Sequence, residues 1–577
     1  MKFSVWAPAA GRVELMVAGR SIGMARDDRG WWHAAAPAAH GDDYTFSVDE
    51  GRPRPDPRSA HQPRGVHGPS RVVDHARFDW QHEGFRPPPL SSAVVYELHV
   101  GVFTPEGTFD AAIARLDHLV ALGVDFVELM PVAEFPGSRG WGYDGVALYA
   151  PHHAYGGPEG LKRFVDACHG RGLGVLIDVV YNHLGPSGNY LREFGPYFTD
   201  RYVTPWGEAV NMDGPYSDDV RSFFIDNALM WLRDYRCDGL RLDAVHAIVD
   251  TSAVHFLEEL AVRVHALEAR LARNLHLVAE SNLNDPRLVR RRDAGGYGLH
   301  AQWNDDFHHA LHALLTGESA GYYSDFGRMG DLAAALTRAF VYDGRYSKHL
   351  KRRHGRRPEG VSGHRFLGYL QNHDQVGNRA AGERLSQLVD TDLLKVGAAL
   401  LLTSPFVPML FTGEEWGATT PFQYFTDHEE KDVARTVGEG RRREFAAFGW
   451  DPRDVPDPQD PATFERSKLD WSEPERPEHA DLLDWYRRAI RLRRALPTLA
   501  DGALHEVRAR NGEPGWLVVE RGPVTIACNL SDSPAAVPLR RAPGELLLSS
   551  SGSLARKTPP AGEVDLAPRS VAVWSSG

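Results

Sequence analysis

Four acids close four short apolar runs: Asp178 in GVLIDVVYNH, Asp243 in CDGLRLDAVH, Glu280 in LHLVAES and Asp374 in LGYLQNHDQVGN. A carboxylate at the end of a buried strand costs desolvation free energy unless its charge is paired or used. Four in one chain therefore imply a shared acidic site. The chemistry such a site serves best is glycoside cleavage, in which one carboxyl protonates the leaving oxygen and a second attacks carbon or activates water. A third can favour the positive charge of an oxocarbenium-like transition state. Asp243, Glu280 and Asp374 could fill these roles. Arg241 lies two residues before Asp243, on the same face of a strand. It would keep Asp243 ionised, while neighbouring anions would raise the proton affinity of Glu280. Taken singly, the same residues have plainer readings: Asp178, Asn182 and His183 could brace a strand-to-loop turn, Asp238 reads as a turn residue, and His373 as a core histidine.

Cation binding is the competing chemistry for such clusters. The first strand, however, offers only His99 where a metallohydrolase barrel would carry an HxH pair, and HExxH, P-loop and GxGxxG patterns are absent. The acids Glu193, Asp200, Glu208 and Asp213 are scattered without EF-hand spacing. No metal or other cofactor is expected.

Side chains from several strands converge at the C-terminal face of a (β/α)8 barrel. Eight strand candidates occur in order: VVYELHV (94–100), VDFVELMP (124–131), GVLIDVV (174–180), GLRLDAV (239–245), LHLVAES (275–281), LHAQWND (299–305), FLGYLQNHD (366–374) and FVPMLFTGEE (406–415). Segments with helical apolar spacing lie between them, such as FDAAIARLDHLVALG (109–123), PEGLKRFVDACHGRG (158–172) and DVRSFFIDNALMWLRDYR (219–236). Strand and helix are expected to alternate throughout, around a parallel sheet. The fold class is thus α/β, a TIM barrel over residues 90–480, with an immunoglobulin-like β-sandwich over 1–85 and a small β-domain over 500–577.

With 577 residues, 42% of them hydrophobic, the chain can bury a large core. A net charge of −12 argues against a nucleic-acid partner, and the basic clusters KRRHGRR (351–357) and GRRREF (440–445) read as solvated faces. Three cysteines without metal-type spacing imply no disulfide framework. The N-terminus lacks a signal-peptide core and no run approaches 18 apolar residues, so a soluble cytoplasmic protein without a membrane partner is expected, its oligomeric state open.

DVVYNH (178–183), GLRLDAVH (239–246), VAES (278–281) and QNHD (371–374) resemble, in order and spacing, the four signature segments of the α-amylase superfamily of retaining glycosidases. The resemblance implies Asp243 as nucleophile, Glu280 as general acid/base and Asp374 as transition-state stabiliser, with Asp178, His183, Arg241, His246 and His373 binding the sugar in the cleavage subsite. WGYDG (141–145) is similar to the segment whose tyrosine, here Tyr143, stacks under that sugar. The N-terminal FSVWAPAAGRVELMV resembles the β-sandwich that precedes the barrel in branching enzymes, isoamylase-type debranching enzymes and maltooligosyltrehalose trehalohydrolases. Longer strings, among them RGWGYDGVALYAPHHAYGGPE (139–159), WNDDFHHALHALLTGE (303–318) and GEEWGATTPFQYFTDH (413–428), look like the trehalohydrolase family.

That likeness implies hydrolysis of the α-1,4 bond next to the terminal trehalose of maltooligosyl trehalose, with related α-glucans as further ligands. Trehalose-side contacts are expected from Trp303, Asp305, Asp306, Phe307 and His308 after strand six and from Phe422, Tyr424, Asp427 and His428 after strand eight. VAESNLND departs from the family pattern at Ser281 and Asn282, where Asp or His would more often follow the acid. The alternatives are a brancher, debrancher or α-amylase of the same superfamily, or an inactive glucan-binding barrel, against which the intact Asp243, Glu280 and Asp374 argue.

Overall fold

The computed structural model describes residues 1–446, 451, 453, 455–552 and 562–576. Eight parallel strands close into a barrel: β1 (Val95–Leu98), β2 (Phe126–Leu129), β3 (Gly174–Val179), β4 (Gly239–Leu242), β5 (His276–Ala279), β6 (Ala301–Trp303), β7 (Phe366–Tyr369) and β8 (Val407–Phe411), the last pairing with β1. Each lies inside one of the eight runs read from the sequence. Val95, Phe126, Leu176, Val278, Leu367, Val407 and Met409 fill the interior as a separate apolar cluster, as expected of a barrel whose centre is a packed core. Polar side chains on the strands are also enclosed, among them Glu97, Glu128, Asp178, Arg241 and Gln302. The first four belong to the site above the core.

The alternation of strand and helix fails once. Between β5 and β6 the chain forms only a single 3-10 turn, Arg292–Ala294, and no α-helix. The segment SNLNDPRLVRRRDAGGYG lacks a 3.6-residue apolar period, and Gly295 and Gly298 adopt φ of 76° and 80°, the left-handed conformation that suits glycine. The predicted helix over 109–123 is likewise split, into Phe109–Ile113 and Leu116–Leu122. The other crossovers are regular. α1 (Gly157–His169), α2 (Ser217–Arg233), α3 (Phe256–Leu271), α4 (Asp305–Thr316), α5 (Thr391–Leu402) and α6 (Pro477–Ala495) are not buried alike: α3 and α6 keep an exposed side, α2 and α4 a partly exposed one, whereas α1 and α5 are buried nearly all round.

Ahead of the barrel, a three-stranded sheet (Lys2–Trp6, Trp31–Ala35, Ala25–Arg26) and a four-stranded sheet (Arg20–Gly23, Val13–Val17, Asp43–Val48, Ser70–Arg71) form the immunoglobulin-like sandwich. It is tied to α2 by Trp31 Nε1 on Asp219 (3.1 Å) and by Arg58 on Asp226 (2.9 Å). The C-terminal five-stranded sheet runs in the order Arg508–Gly512, Trp516–Arg521, Val524–Asn529, Ser570–Ser576, Pro543–Ser549. Arg521 donates to the carbonyls of Thr403 and Ser404 (2.8 Å each), joining this sheet to the turn before β8.

Candidate active site

Arg241 stands at the centre of the acids. In β4 it is in register with Asp178 of β3 and Val278 of β5, so its side chain rises between those strands, wholly buried. Nη1 donates to both oxygens of Asp178 (2.9 and 2.8 Å) and to Oδ1 of Asp243 (2.7 Å), while Nη2 is 3.5 Å from Oε2 of Glu280. One cation thus faces three carboxylates, with the Trp303 ring 4.3 Å from its guanidinium centre.

The surroundings push these acids in opposite directions. Burial opposes the charge of Asp243, but Arg241, His183 and a 2.8 Å hydrogen bond from Asn182 Nδ2 outweigh it and hold the carboxyl below its usual range. Glu280 is pushed up to about 8, first by burial and then by Asp243, Asp374 and Asp305, against the pull of Arg241. Asp178 is raised to about 6, chiefly by burial. Ala244, immediately after Asp243, adopts φ 37° and aims its N–H at Glu280 Oε2. This is a strained conformation for a non-glycine residue. An ionised carboxylate and a protonated carboxyl, held by one arginine, are what general acid and nucleophile need at neutral pH.

Across the cleft, the Tyr143 hydroxyl lies 2.6 Å from Asp178 Oδ2 and 2.7 Å from His373 Nε2, with its ring stacked on the imidazole. Asp374 has its carboxylate partly exposed to the cleft, 3.5 Å from His373 Nε2. His183 is fixed by Asn182 Oδ1 (2.5 Å) and the Tyr143 carbonyl (3.1 Å). Burial keeps His183 and His246, which is near Asp243, below the ordinary histidine pKa. Sequence reasoning did not find Trp206, which stacks on His183 at 4.4 Å and 3° from the turn of the hairpin Phe198–Thr204/Gly207–Val210, 48% exposed. Nor did it find Glu97 and Glu128, although an acid inside an apolar run marks both, as it marks Asp178.

The residues expected on the trehalose side divide. Asp305, raised to about 6 mainly by burial, accepts a hydrogen bond from Tyr369 and lines a cavity of about 320 Å³ beside Asp374. The cavity continues past His309 and Tyr322 to Arg352 and His354 of the hairpin Asp343–Ser347/Arg352–Gly355. Part of the basic cluster assigned to a solvated face therefore lines the cleft.

Asp306 borders the same cavity, but its Oδ2 accepts the N–H groups of Val341 and Tyr342 (2.7 Å each) and the Asn284 amide (2.9 Å), so it serves the fold. Phe307 points the other way round α4 into the core, against Phe406. His308 is buried against Tyr369 and His312. Phe422 lies beneath Trp141, Tyr424 packs edge-on to it, and His428 is buried near Asp144. Asp427 accepts Ser138 N–H (2.8 Å) and pairs with Arg139 (2.6 Å), closing the 137–139 turn. Asp238 accepts Val175 N–H and His169 (2.9 Å each), a structural role as expected.

Among the described residues, two groups have the donors to hold a cation, Glu134/His152/His153 and His265/Glu268/His300, and neither contains an acid of the cleft. In the first, His153 Nδ1 is hydrogen-bonded to Glu134 (2.7 Å); in the second, His300 Nδ1 accepts the Leu277 N–H (3.0 Å).

A closed parallel barrel whose strand ends carry this Arg-centred carboxylate cluster defines an α-amylase-type barrel. Residues 69–202 match the alpha amylase catalytic-domain family, residues 1–60 carbohydrate-binding module 48 (isoamylase N-terminal domain), and residues 506–573 a domain of unknown function, DUF3459. The chain is 54% identical to malto-oligosyltrehalose trehalohydrolase of Arthrobacter ramosus, over 93% of this chain and 94% of that one. It is 50% identical to the enzyme of the same name from Rhizobium sp. (strain M-11), over 99% and 97%. A crystal structure of a Salmonella typhimurium protein assigned as an alpha amylase superposes with a TM-score of 0.91 at 40% identity, covering 100% of this chain and 97% of that one. The chain belongs to the malto-oligosyltrehalose trehalohydrolase family.

Proposed function

We propose that the protein is a retaining glycoside hydrolase that cleaves the α-1,4 bond next to the terminal trehalose of maltooligosyl trehalose and releases trehalose. The observation that carries the chemistry is that Arg241 bridges both acids, Nη1 2.7 Å from Asp243 and Nη2 3.5 Å from Glu280, which favours an ionised Asp243 while burial and the neighbouring anions favour a protonated Glu280. Asp243 attacks the anomeric carbon. Glu280 gives its proton to the departing trehalose oxygen and then, as carboxylate, takes one from the attacking water. Asp374, exposed to the cleft, favours the oxocarbenium-like charge. Tyr143, His183 and Trp206 provide rings for the sugar on the cleaved side.

The cavity bounded by Asp305, Tyr322 and Arg352 receives the trehalose. Its supports are its position beside Asp374 and the names of the relatives, which cover nearly the whole chain. Three buried free cysteines suit a reducing, cytoplasmic setting, and no helix among the described residues is long and apolar enough to cross a membrane. Product analysis with maltotriosyl trehalose and, in parallel, maltopentaose tests the reading. Trehalose and maltotriose should appear from the first far faster than any product from the second; equal rates on both would make the protein a general α-amylase.

A further inference from the structure

Glu97 lies inside the barrel at 1% exposure, and among the described residues no lysine or arginine forms an ion pair with it. Its carboxylate instead grips a single residue twice: Oε1 is 2.5 Å from His373 Nδ1, and Oε2 accepts the His373 main-chain N–H at 3.0 Å. The strand beneath is anchored by Thr412 N–H on the Glu97 carbonyl (2.9 Å). On the far side of the ring, Nε2 meets the Tyr143 oxygen, whose one proton is directed at Asp178 Oδ2, 2.6 Å away. Tyr143 can then only accept from His373, so Nε2 carries a proton, and Nδ1 carries another toward Glu97.

We propose that Glu97 is a positioning residue of the cleavage subsite: it holds His373 as a doubly protonated ring, so that Nε2–H fixes Tyr143 and faces Asp374. The charge that forms the sugar-facing wall would then begin at β1, two strands from the nearest catalytic carboxylate in the barrel order. The groups facing His373 are Glu97 from β1 and His99 just after it, Glu128 from β2, Tyr143 from the loop after β2, Asp178 from β3, Arg241 from β4 and its own neighbour Asp374. Trp141 and Trp303 close the remaining sides with rings. Burial and Arg241 oppose a charged imidazole here, yet Asp374 and Glu97 bring it up to about 9. Glu128, also buried, is raised well above the usual carboxyl range by burial and then by Glu97. Of these two in-register acids, Glu97 is the one that keeps a charge-assisted partner.

Glu97→Gln separates geometry from charge. A glutamine can accept the main-chain N–H and donate to Nδ1, which keeps Nε2–H in place but leaves the ring neutral. The inference rests on the glycosidase reading, so its first readout is independent of activity: histidine 15N NMR, with His373 assigned by difference from His373→Gln. In the wild type the ring should stay charged through pH 8; in Glu97→Gln it should lose its charge at least one pH unit lower, and Glu97→Asp should restore it in part. The second readout is kcat/KM on maltosyl fluoride, whose departure needs no proton from Glu280. Glu97→Gln should lower it at least about tenfold, the scale of one charge-assisted hydrogen bond, and its alkaline limb should fall with the NMR transition. A neutral His373 at pH 8 in the wild type, a transition unmoved by Glu97→Gln, or a moved transition with unchanged kinetics would each overturn the proposal. If Glu97→Gln does not fold, Glu97→Asp takes its place, and a His373 transition unmoved there would overturn the proposal equally.

Discussion

On the wall formed by β3, β4 and β5, Asp178, Asp243 and Glu280 are all tied to Arg241, and each has a second partner in Tyr143, Asn182 or the Ala244 N–H. The wall beyond β6 and β7 is built otherwise. Asp374 after β7 is its strand-end acid, and the rest comes from the start of α4, with Asp305, the 3-10 turn Gly321–Asp325 and the hairpin Asp343–Ser347/Arg352–Gly355. The first wall has a fixed electrostatic arrangement suited to bond cleavage. The second has side chains on connections, where shape and hydrogen bonding can be changed without disturbing the barrel.

The comparison breaks most readily at Asp243. Asp243→Ala should remove turnover by about 10⁴-fold or more, because no covalent intermediate can form. Glu280→Gln should lose about 10²- to 10⁴-fold on maltooligosyl trehalose and much less on maltosyl fluoride. Steady-state kinetics on both substrates checks this, and equal losses would remove Glu280 from the acid role. Arg241→Met should be both inactive and less stable by about 3 to 5 kcal/mol, since three carboxylates would lose their shared cation in a buried site. Denaturant unfolding at pH 7 measures this, and a stable, active variant would show that the acids hold themselves apart.

Smaller effects are expected on the other wall. Arg352→Ala should reduce kcat/KM for maltooligosyl trehalose about tenfold, equivalent to about 1.4 kcal/mol, with slow maltooligosaccharide hydrolysis almost unchanged. The smallest and least selective effect should come from Asp306→Ala and Asp427→Ala. Asp306→Ala leaves two buried N–H groups unpaired, at about 1 to 3 kcal/mol each. Its signature should be a lower unfolding midpoint with equal kinetic loss on both substrates; a trehalose-selective loss at Asp306 would return that residue to the binding site.

The two walls also differ in how far the sequence revealed them. All eight barrel strands and the convergence of Asp178, Asp243, Glu280 and Asp374 could be read because an acid at or near the end of an apolar run is rare and its direction is set by strand alternation. Glu97 and Glu128 lie inside their runs, as Asp178 does, but none of the segments that resemble the α-amylase signatures covers them. The directions of Asp306, Asp427 and Phe307 were not legible because neighbouring positions on a helix or loop point in different directions. Asp305 faces the cavity and Phe307 the core, although both belong to α4. Trp206 and Arg352 sit on hairpins with no period that relates them to the barrel, and only tertiary packing brings them to the cleft.

The central claim, that one arginine holds two carboxyls at opposite protonation states, can be seen without turnover. An infrared difference spectrum between wild type and Glu280→Gln at pH 7 should contain a protonated-carboxyl band that titrates away near pH 8, and the matching Asp243→Asn spectrum should contain only ionised carboxylate. A Glu280 band already ionised at pH 6, or a protonated Asp243 at pH 7, would contradict the account.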